Sequence, residues 1–169
     1  LLRHGAPSVG IAMDAAGWVD VAEVRRELRF SESDLAEVVG QNDKRRFEMA
    51  DGRIRACQGH SAQAVASDDG VSLAALEASW EPYEAAGSVW HGTHVAAAEA
   101  IAREGIVPQA RTHVHLAPTP TSKVGKRHAV AVLLEVATAK VREHGIALYR
   151  SPNGVILARR IPAACIVGV

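Results

Sequence analysis

Two stretches near the start of the chain carry apolar residues three or four positions apart, which is the spacing of an amphipathic helix. The first stretch follows Asp20 and the second follows Ser31, and both residue types commonly cap helix N-termini. The apolar positions are Val21, Val24 and Leu28 in the first stretch, and Leu35, Val38 and Val39 in the second. We therefore predict one helix after Asp20 and another over residues 32–40.

Strand-like alternation follows the two predicted helices. Residues 46–49 and 53–57 lie on either side of Asp51-Gly52, a dipeptide typical of two-residue hairpin turns. Two helices followed by a hairpin are the order of a small winged-helix domain. Such domains often bind nucleic acid, but others bind protein or serve only in packing, and the pattern alone leaves these alternatives open.

The second half of the chain alternates between short apolar strands and helical segments. A strand ends at His91, an alanine-rich helix runs from about His94 to Arg103, and a strand carrying His113 and His115 follows. Since a strand–helix–strand unit can place its strands side by side, we expect His91 and His115 to face one cleft. Further along we predict a short helix from residue 119, strands over 129–136, 146–149 and 155–157, a helix over 137–144 and a final apolar piece over 164–169.

Acidic and basic residues are unevenly distributed, although the 19 Lys/Arg and 19 Asp/Glu residues balance. Residues 61–90 contain five acidic residues and no basic residue, whereas residues 91–169 contain ten basic and four acidic residues. A basic half suits an anionic ligand or nucleic acid, with a solvated basic surface as the simpler alternative. We divide the chain into an N-terminal lobe over 1–62, an acidic linker over 63–86 and a C-terminal lobe over 87–169.

The composition indicates a globular protein without membrane segments. Of the 169 residues, 48% are hydrophobic but only 4% are aromatic, so the core must be aliphatic. No apolar run approaches the roughly 20 residues of a membrane helix, and no signal-peptide pattern opens the chain. Cys57 and Cys165 form no motif, so we expect a reduced, cytoplasmic protein. Residues 1–5 are typical of the last turn of a helix, so we expect the native chain to begin earlier.

Motifs of the common catalytic and cofactor sites are missing from the sequence. There is no His-Glu-x-x-His, Cys-x-x-Cys, Gly-x-Ser-x-Gly or glycine-rich phosphate loop. His113 and His115 lie two apart on a strand and point to opposite faces, which disfavours a shared metal ion. Arg3, Arg46 and Arg111 are more informative, because guanidinium groups match phosphate oxygens and these three lie in separate segments. Each of them taken alone is more often a surface residue.

Seven short motifs, in order along nearly the whole chain, resemble the NAD-dependent RNA 2′-phosphotransferase family, best known for tRNA splicing. They are Leu2-Arg3-His4, Gly17-Trp18-Val19-Asp20, Asn42-Asp43-Lys44-Arg45-Arg46-Phe47, Ile54-Arg55-Ala56-Cys57-Gln58-Gly59-His60, His91-Gly92-Thr93, Arg111-Thr112-His113-Val114-His115-Leu116 and Asn153-Gly154-Val155. Any one of these motifs is a weak signal, but seven in sequence are a strong one.

The resemblance implies an α+β fold, with an N-terminal winged-helix lobe and a C-terminal ADP-ribosyltransferase-like lobe of mixed β structure. It also implies a two-step reaction. The RNA 2′-phosphate attacks the nicotinamide-ribose anomeric carbon of NAD and expels nicotinamide, and the ribose 2″-hydroxyl then attacks the phosphorus. The products are 2′-hydroxyl RNA and ADP-ribose 1″,2″-cyclic phosphate. NAD is thus the implied co-substrate and RNA the implied partner; we expect a monomer that needs no metal and no membrane.

The resemblance also assigns site residues. The family's catalytic Arg-His-Arg-Arg set falls on Arg3, His4, Arg46 and Arg111. The implied NAD contacts are His91, Gly92, Thr93 and His115. RNA or phosphate contacts are expected at Lys44, Arg45, Gln58 and His60. Gln58 and His60 would otherwise end the hairpin and pack locally.

Two other functions stay open at the level of sequence. The same residues would serve a transferase that caps nucleic-acid 5′-phosphate ends with ADP-ribose, or a non-catalytic RNA- or nucleotide-binding module. Val155 stands where protein-modifying relatives often carry glutamate, which argues against protein ADP-ribosylation. The chain also departs from the family at Ala117, where serine is usual.

Overall fold

The fold is described by a computed structural model over residues 1–65, 71–126 and 130–169. The chain divides into two compact units. Unit 1 comprises Leu1–Ser79 together with Ala110–Thr112, and unit 2 comprises Trp80–Gln109 together with His113–Val169. The chain therefore leaves unit 2 for three residues and then returns to it.

Unit 1 combines short helices with one small antiparallel sheet. Its elements are a 3-10 turn at Pro7–Val9, β1 (Val19–Asp20), α1 (Val21–Leu28), α2 (Glu32–Gly40), β2 (Phe47–Ala50), β3 (Arg53–Ala56), α3 (Ala62–Val65) and α4 (Leu73–Ala78). The strand order is β1-β3-β2. A compact apolar cluster that includes Val19, Val24, Leu35 and Ile54 forms the core beneath this sheet.

Local sequence explains the helix starts and the hairpin of unit 1. The Asp20 side chain accepts hydrogen bonds from the backbone N–H groups of Ala22 and Glu23, and Ser31 forms a reciprocal capping box with Asp34. Asp51 and Gly52 both have positive φ, at 49° and 73°, as a type I′ hairpin turn requires. The two helices and the hairpin predicted from the sequence are therefore confirmed.

The described residues of unit 2 form two antiparallel sheets and two helices. Its elements are β4 (Glu81–Pro82), β5 (Ser88–Thr93), α5 (Val95–Glu104), β6 (Val114–Leu116), β7 (Val132–Ala137), α6 (Thr138–Glu143), β8 (Tyr149–Arg150), β9 (Ile156–Ala158), a 3-10 turn at Ala163–Cys165 and β10 (Ile166–Gly168). One sheet has the order β10-β7-β5 and the other the order β4-β8-β9-β6. Its core is aliphatic, as predicted, and includes Val89, Leu116, Val136 and Ile156.

The mixed α+β class is confirmed, but some local predictions are wrong. The expected helix from Thr119 is absent; this segment forms turns, with the Ser122 N–H bonded to the Thr119 carbonyl at 3.2 Å. The segment has no apolar stripe that could hold a helix against a core. Val38, expected to face inward, is 46% exposed. Residue 129, the expected start of a strand, lies outside the described residues.

Among its described residues, the acidic segment over 63–86 contains the end of α3 and the whole of α4 and β4. α4 buries Leu76 in unit 1, while Trp80 is buried in unit 2. The division between the units falls within this segment, after Ser79. The segment therefore contributes residues to both units, which its acidic composition did not indicate.

Among the described residues, no helix is long and apolar enough to cross a membrane.

Candidate active site

Arg3 lies in a turn at the start of unit 1 and is fixed at both its backbone and its side chain. The Gly5 N–H donates to the Leu1 carbonyl at 2.9 Å, and the Arg3 carbonyl accepts from the Ser61 N–H at 3.3 Å. The Arg3 guanidinium lies directly on Gly59, where a Cβ would be 3.1 Å from the Arg3 Cζ. The half-buried Arg3 is therefore held by the segment that follows β3.

Arg46 enters β2 from a loop that begins at Asn42. The Asn42 Oδ1 accepts hydrogen bonds from the Arg46 backbone N–H at 3.3 Å and from its Nη1 at 3.2 Å. The Arg46 carbonyl accepts from the Cys57 N–H at 2.9 Å. One amide side chain thus orients both the backbone and the guanidinium of Arg46.

Arg111 belongs to unit 1 because residues Ala110–Thr112, called the excursion below, leave unit 2 and join unit 1. The Ala62 N–H donates to the Ala110 carbonyl at 3.0 Å, and the Thr112 N–H donates to the His60 carbonyl at 3.1 Å. Arg111 itself is paired with Ser61 in an isolated antiparallel bridge. The stretch 59–61 therefore contacts both the Arg3 and the Arg111 segments.

Arg3 lies near the positive charges of the other two arginines. Burial lowers the pKa of the Arg3 guanidinium, and the positive charges of Arg111 and then Arg46 lower it further. Like charges near one another disfavour the charged form, which fits the backbone contacts that bring the Arg3 and Arg111 segments to residues 59–61. A site that concentrates positive charge in this way stabilises a bound anion.

His4 belongs to the same cluster. Its exposed imidazole has a pKa below the ordinary value, first because of partial burial and next because of positive charge that includes Arg3 and Arg111. The neutral imidazole is therefore favoured near neutral pH. In that form one ring nitrogen can accept a proton and the other can donate one.

The four expected RNA or phosphate contacts have different environments. Arg45 is exposed and Lys44 is half-buried. Gln58 and His60 are buried, at 5% and 0% exposure, and a Cβ at Gly17 would lie 2.8 Å from the His60 Nε2. Burial of this kind fits the packing role for Gln58 and His60, and RNA contact by any of the four stays a prediction.

Cys57, beside this cluster, is an unreactive thiol. Burial and then the charge of Glu48 raise its pKa to about 11, against the opposing effects of Arg55 and Arg3. Its Sγ–H donates to the Arg45 carbonyl at 3.3 Å. The thiol is therefore protonated at neutral pH and has no nucleophilic role.

In unit 2, His91 on β5 and His115 on β6 lie together as expected. The strands meet through reciprocal backbone hydrogen bonds between Trp90 and Ala117, at 2.9 and 2.7 Å. The His91 Nδ1 lies 3.1 Å from the His115 carbonyl oxygen. Since a carbonyl only accepts, His91 carries its proton on Nδ1, and in the neutral ring Nε2 is an acceptor.

His113 and His115 point in opposite directions, as their spacing predicted. His113 is buried and packs edge-on against Trp80, with 4.9 Å between the ring centroids. Its role is therefore structural. In the described residues, no group of three His, Cys, Asp or Glu side chains is placed to hold a metal ion.

Gly92 and Thr93, which complete β5, are both half-buried. A Cβ at Gly92 would lie 2.6 Å from a methyl carbon of Val130 and 3.1 Å from the Lys126 Cβ. Val130 and Lys126 therefore occupy the space that a side chain at position 92 would need, which explains why this position holds glycine. Val155 is 1% exposed and belongs to the apolar interior.

Asn42 and Gly59 are contacts of the cluster that the sequence did not single out. Both lie inside the quoted motifs, but only the structure shows which arginine each one touches. The spacing of four residues between Asn42 and Arg46 is a weak signal that could have suggested a turn. Nothing local to Gly59 indicates contact with a residue 56 positions away.

Comparison with known proteins shows which family the chain belongs to. The model of the RNA 2′-phosphotransferase, Tpt1 / KptA family matches residues 1–160. The chain belongs to this family. Proteins named "Probable RNA 2′-phosphotransferase" from Rhizobium leguminosarum bv. trifolii and Streptomyces coelicolor are each 36% identical over 169 residues, covering 96% of this chain and 85% and 86% of theirs. One from Acaryochloris marina is 34% identical over 178 residues, covering 100% of this chain and 92% of its own.

Membership in the RNA 2′-phosphotransferase family confirms the resemblance drawn from the seven motifs. The family match includes all four residues of the Arg-His-Arg-Arg set and both histidine strands. The catalytic and NAD-binding roles of these residues are predictions from the motifs, and the structure describes the surroundings of each residue.

Proposed function

We propose that this protein removes an internal 2′-phosphate from RNA by transferring it to NAD, with nicotinamide, ADP-ribose 1″,2″-cyclic phosphate and 2′-hydroxyl RNA as products. The observation that carries the proposal is that the stretch 59–61 contacts both Arg3 and Arg111, while the Arg46 carbonyl is bonded to the N–H of Cys57 just before that stretch. Such a cluster suits a phosphate dianion. Family membership supports the same substrate class.

In this proposal the arginines of unit 1 bind and activate the RNA phosphate. The three guanidiniums screen the attacking dianion from the pyrophosphate of the co-substrate, and they stabilise the charge that develops on phosphorus in the second step. His4, neutral and exposed, is suited to accept or return a proton at the phosphate or at the ribose hydroxyl.

The histidine strands of unit 2 fit the NAD role. The Nδ1–H bond of His91 to the His115 carbonyl leaves Nε2 as the acceptor in a neutral ring, which suits a ribose hydroxyl. His91, Thr93 and His115 would hold NAD, which supplies an electrophilic anomeric carbon with a good leaving group. The Gly92 side-chain position is filled by Val130 and Lys126, so in this proposal Gly92 contributes only its backbone.

The finer fold assignment is part of the same proposal. Two capped helices followed by an antiparallel hairpin in unit 1 support a winged-helix lobe. Two small antiparallel sheets that carry the histidine strands support an ADP-ribosyltransferase-like lobe in unit 2. We assign the lobes accordingly.

The experiment is a joint assay of phosphate loss and nicotinamide release, on NAD and a short RNA with one internal 2′-phosphate. Wild type is expected to give both products. Arg46→Ala or Arg111→Ala should lower phosphate release on the order of 10²–10³-fold, with NAD binding retained and ADP-ribosylated RNA accumulating. Each variant removes a fixed donor to the phosphate, while the His91–His115 contact stays in place.

Arg26→Ala is the matched control, because it removes an arginine of the same unit whose side chain is 74% exposed. It should retain wild-type turnover. Unchanged turnover in both Arg46→Ala and Arg111→Ala would contradict the phosphate role of the cluster. A parallel assay on a 5′-phosphorylated RNA distinguishes the capping reaction, in which nicotinamide is released and the phosphate stays attached.

A further inference from the structure

The arginines of unit 1 fall into two classes by their partners. Unit 1 carries 13 Asp/Glu and 10 Lys/Arg residues, so carboxylates are plentiful. Four arginines have a carboxylate within 4.0 Å, namely Arg25, Arg26, Arg53 and Arg55. Within the ranges that the structure describes, neither Arg3 nor Arg46 forms such an ion pair.

Arg3 and Arg46 are nevertheless held in place. Arg46 donates from its backbone N–H and from Nη1 to the Asn42 Oδ1, a neutral amide oxygen. Arg3 packs against the backbone of Gly59, whose Cβ would come within 3.1 to 3.4 Å of three guanidinium atoms. Gly59 has a φ of 87°, so a side chain there would be strained as well as crowded.

We propose that Asn42 and Gly59 are positioning residues that fix Arg46 and Arg3 without neutralising them. A carboxylate partner would hold a guanidinium equally well, but it would cancel the charge that the RNA phosphate needs. Neutral supports supply the geometry and leave the full positive charge for the substrate. This inference rests on the proposed function and adds two residues to the machinery of the same site.

Asn42→Asp tests the need for a neutral support. The carboxylate keeps an oxygen where Oδ1 lies, so Arg46 stays in place while the site loses one unit of net charge. We expect the Kd for the 2′-phosphorylated RNA to rise at least about tenfold, because the added carboxylate repels the phosphate and offsets the charge of Arg46. Because the geometry is kept but the positive charge at the phosphate is reduced, kcat at saturating RNA should also fall, by less than in Arg46→Ala.

Gln41→Glu is the matched control for charge. It makes the same amide-to-carboxylate change one residue away, where Gln41 bonds only to the Glu37 side chain and the helix backbone. Its RNA affinity should stay within about twofold of wild type. Wild-type affinity in Asn42→Asp, or an equal loss in both variants, would overturn the role of the neutral support.

Gly59→Ala tests the placement of Arg3, with Gly52→Ala as its control. Both glycines have positive φ, 87° and 73°, so both alanines carry similar backbone strain, but nothing lies within 4 Å of a Cβ at Gly52. Both variants should lower the urea midpoint by similar amounts. Only Gly59→Ala should lower kcat, on the order of 10²-fold, because it displaces Arg3.

A double variant separates positioning from general damage. In an Arg3→Ala background, Gly59→Ala should cause little further loss of turnover, because its effect acts through Arg3. Equal turnover in Gly59→Ala and Gly52→Ala, or full additivity with Arg3→Ala, would overturn the inference.

The side-chain Nε–Hε resonances of arginine decide the placement independently of activity. Gly59→Ala should shift the Arg3 resonance, and Asn42→Ala should shift that of Arg46, while Gly52→Ala should leave both resonances in place. If wild type releases no phosphate from RNA, the proposed function is wrong. The resonances then still show whether Asn42 and Gly59 position the two arginines, and unshifted resonances would contradict it.

Discussion

The pKa values of Arg3 and His4 in unit 1 are lowered by burial and by nearby positive charges. Arg3 has a lowered pKa because it is partly buried beside Arg111 and Arg46, and His4 shares that environment. Residue type marked the three arginines as candidates for binding phosphate, and the family motifs gave them and His4 a common role. Their convergence depends on the stretch 59–61, which contacts Arg3 and Arg111 through backbone bonds between distant positions. Spacing along a chain does not reveal such contacts.

The titration of His4 is the prediction at this scale. Arg3→Ala removes a positive charge that opposes protonation of the imidazole, so the pKa of His4 should rise toward its ordinary value. Burial, the larger cause, is expected to keep it somewhat below that value. The measurement is an NMR titration of the His4 ring protons between pH 4.5 and about 8. Arg26→Ala is the control, and an unmoved or lowered His4 pKa in Arg3→Ala would contradict the prediction.

At the scale of an element, the residue pattern of the β2–β3 hairpin predicted its turn and its strands but not the burial of its side chains. Asp51-Gly52 located the turn, because only a few residue types accept positive φ at both positions. Alternation also located the strands, but it did not show that Arg55 is only 5% exposed. That cation is balanced by Glu48 directly across the ladder at 2.7 Å, and it lies 4.5 Å from the centre of the Trp18 ring.

Removing the Glu48 charge should therefore destabilise the hairpin. In Glu48→Gln the buried Arg55 loses its counter-charge, and the free energy of unfolding should fall by about 1–2 kcal/mol, a figure reduced because the Glu48 side chain is 33% exposed. Urea unfolding provides the measurement. Glu32→Gln, whose carboxylate is 91% exposed and 3.9 Å from Arg25, should change the free energy by less than about 0.5 kcal/mol. Equal effects of the two variants would contradict this account.

At the scale of the whole molecule, the boundary between the two units does not follow the distribution of acidic and basic residues. The acidic segment indicated a separate linker, yet α4 is part of unit 1 and Trp80 is buried in unit 2. Nor did any pattern show that Ala110–Thr112 belong with unit 1 while their neighbours on both sides belong to unit 2. Hydrophobic periodicity describes how one element faces its core, and it carries no information on which distant segment a three-residue piece will join.

The excursion leaves little slack at its C-terminal end. The Thr112 N–H bonds to the His60 carbonyl within unit 1, and Val114 pairs with Ala158 within unit 2, so only His113 separates the two attachments. Deleting His113 would make Thr112 and Val114 adjacent, so one attachment should break and turnover should fall at least about 100-fold. His113→Ala keeps the length of the connection and should retain more turnover than the deletion. Comparable turnover in the two variants, measured in the joint assay, would contradict this expectation.

The same excursion has a consequence for how such a protein can diversify. A single cut after Ser79 does not separate the units, because Arg111 lies beyond the cut and joins the first unit from within the second. Recombination that exchanges one unit between homologues must therefore preserve three junctions at once. Domain shuffling is disfavoured under that constraint, and the two halves are expected to be inherited together.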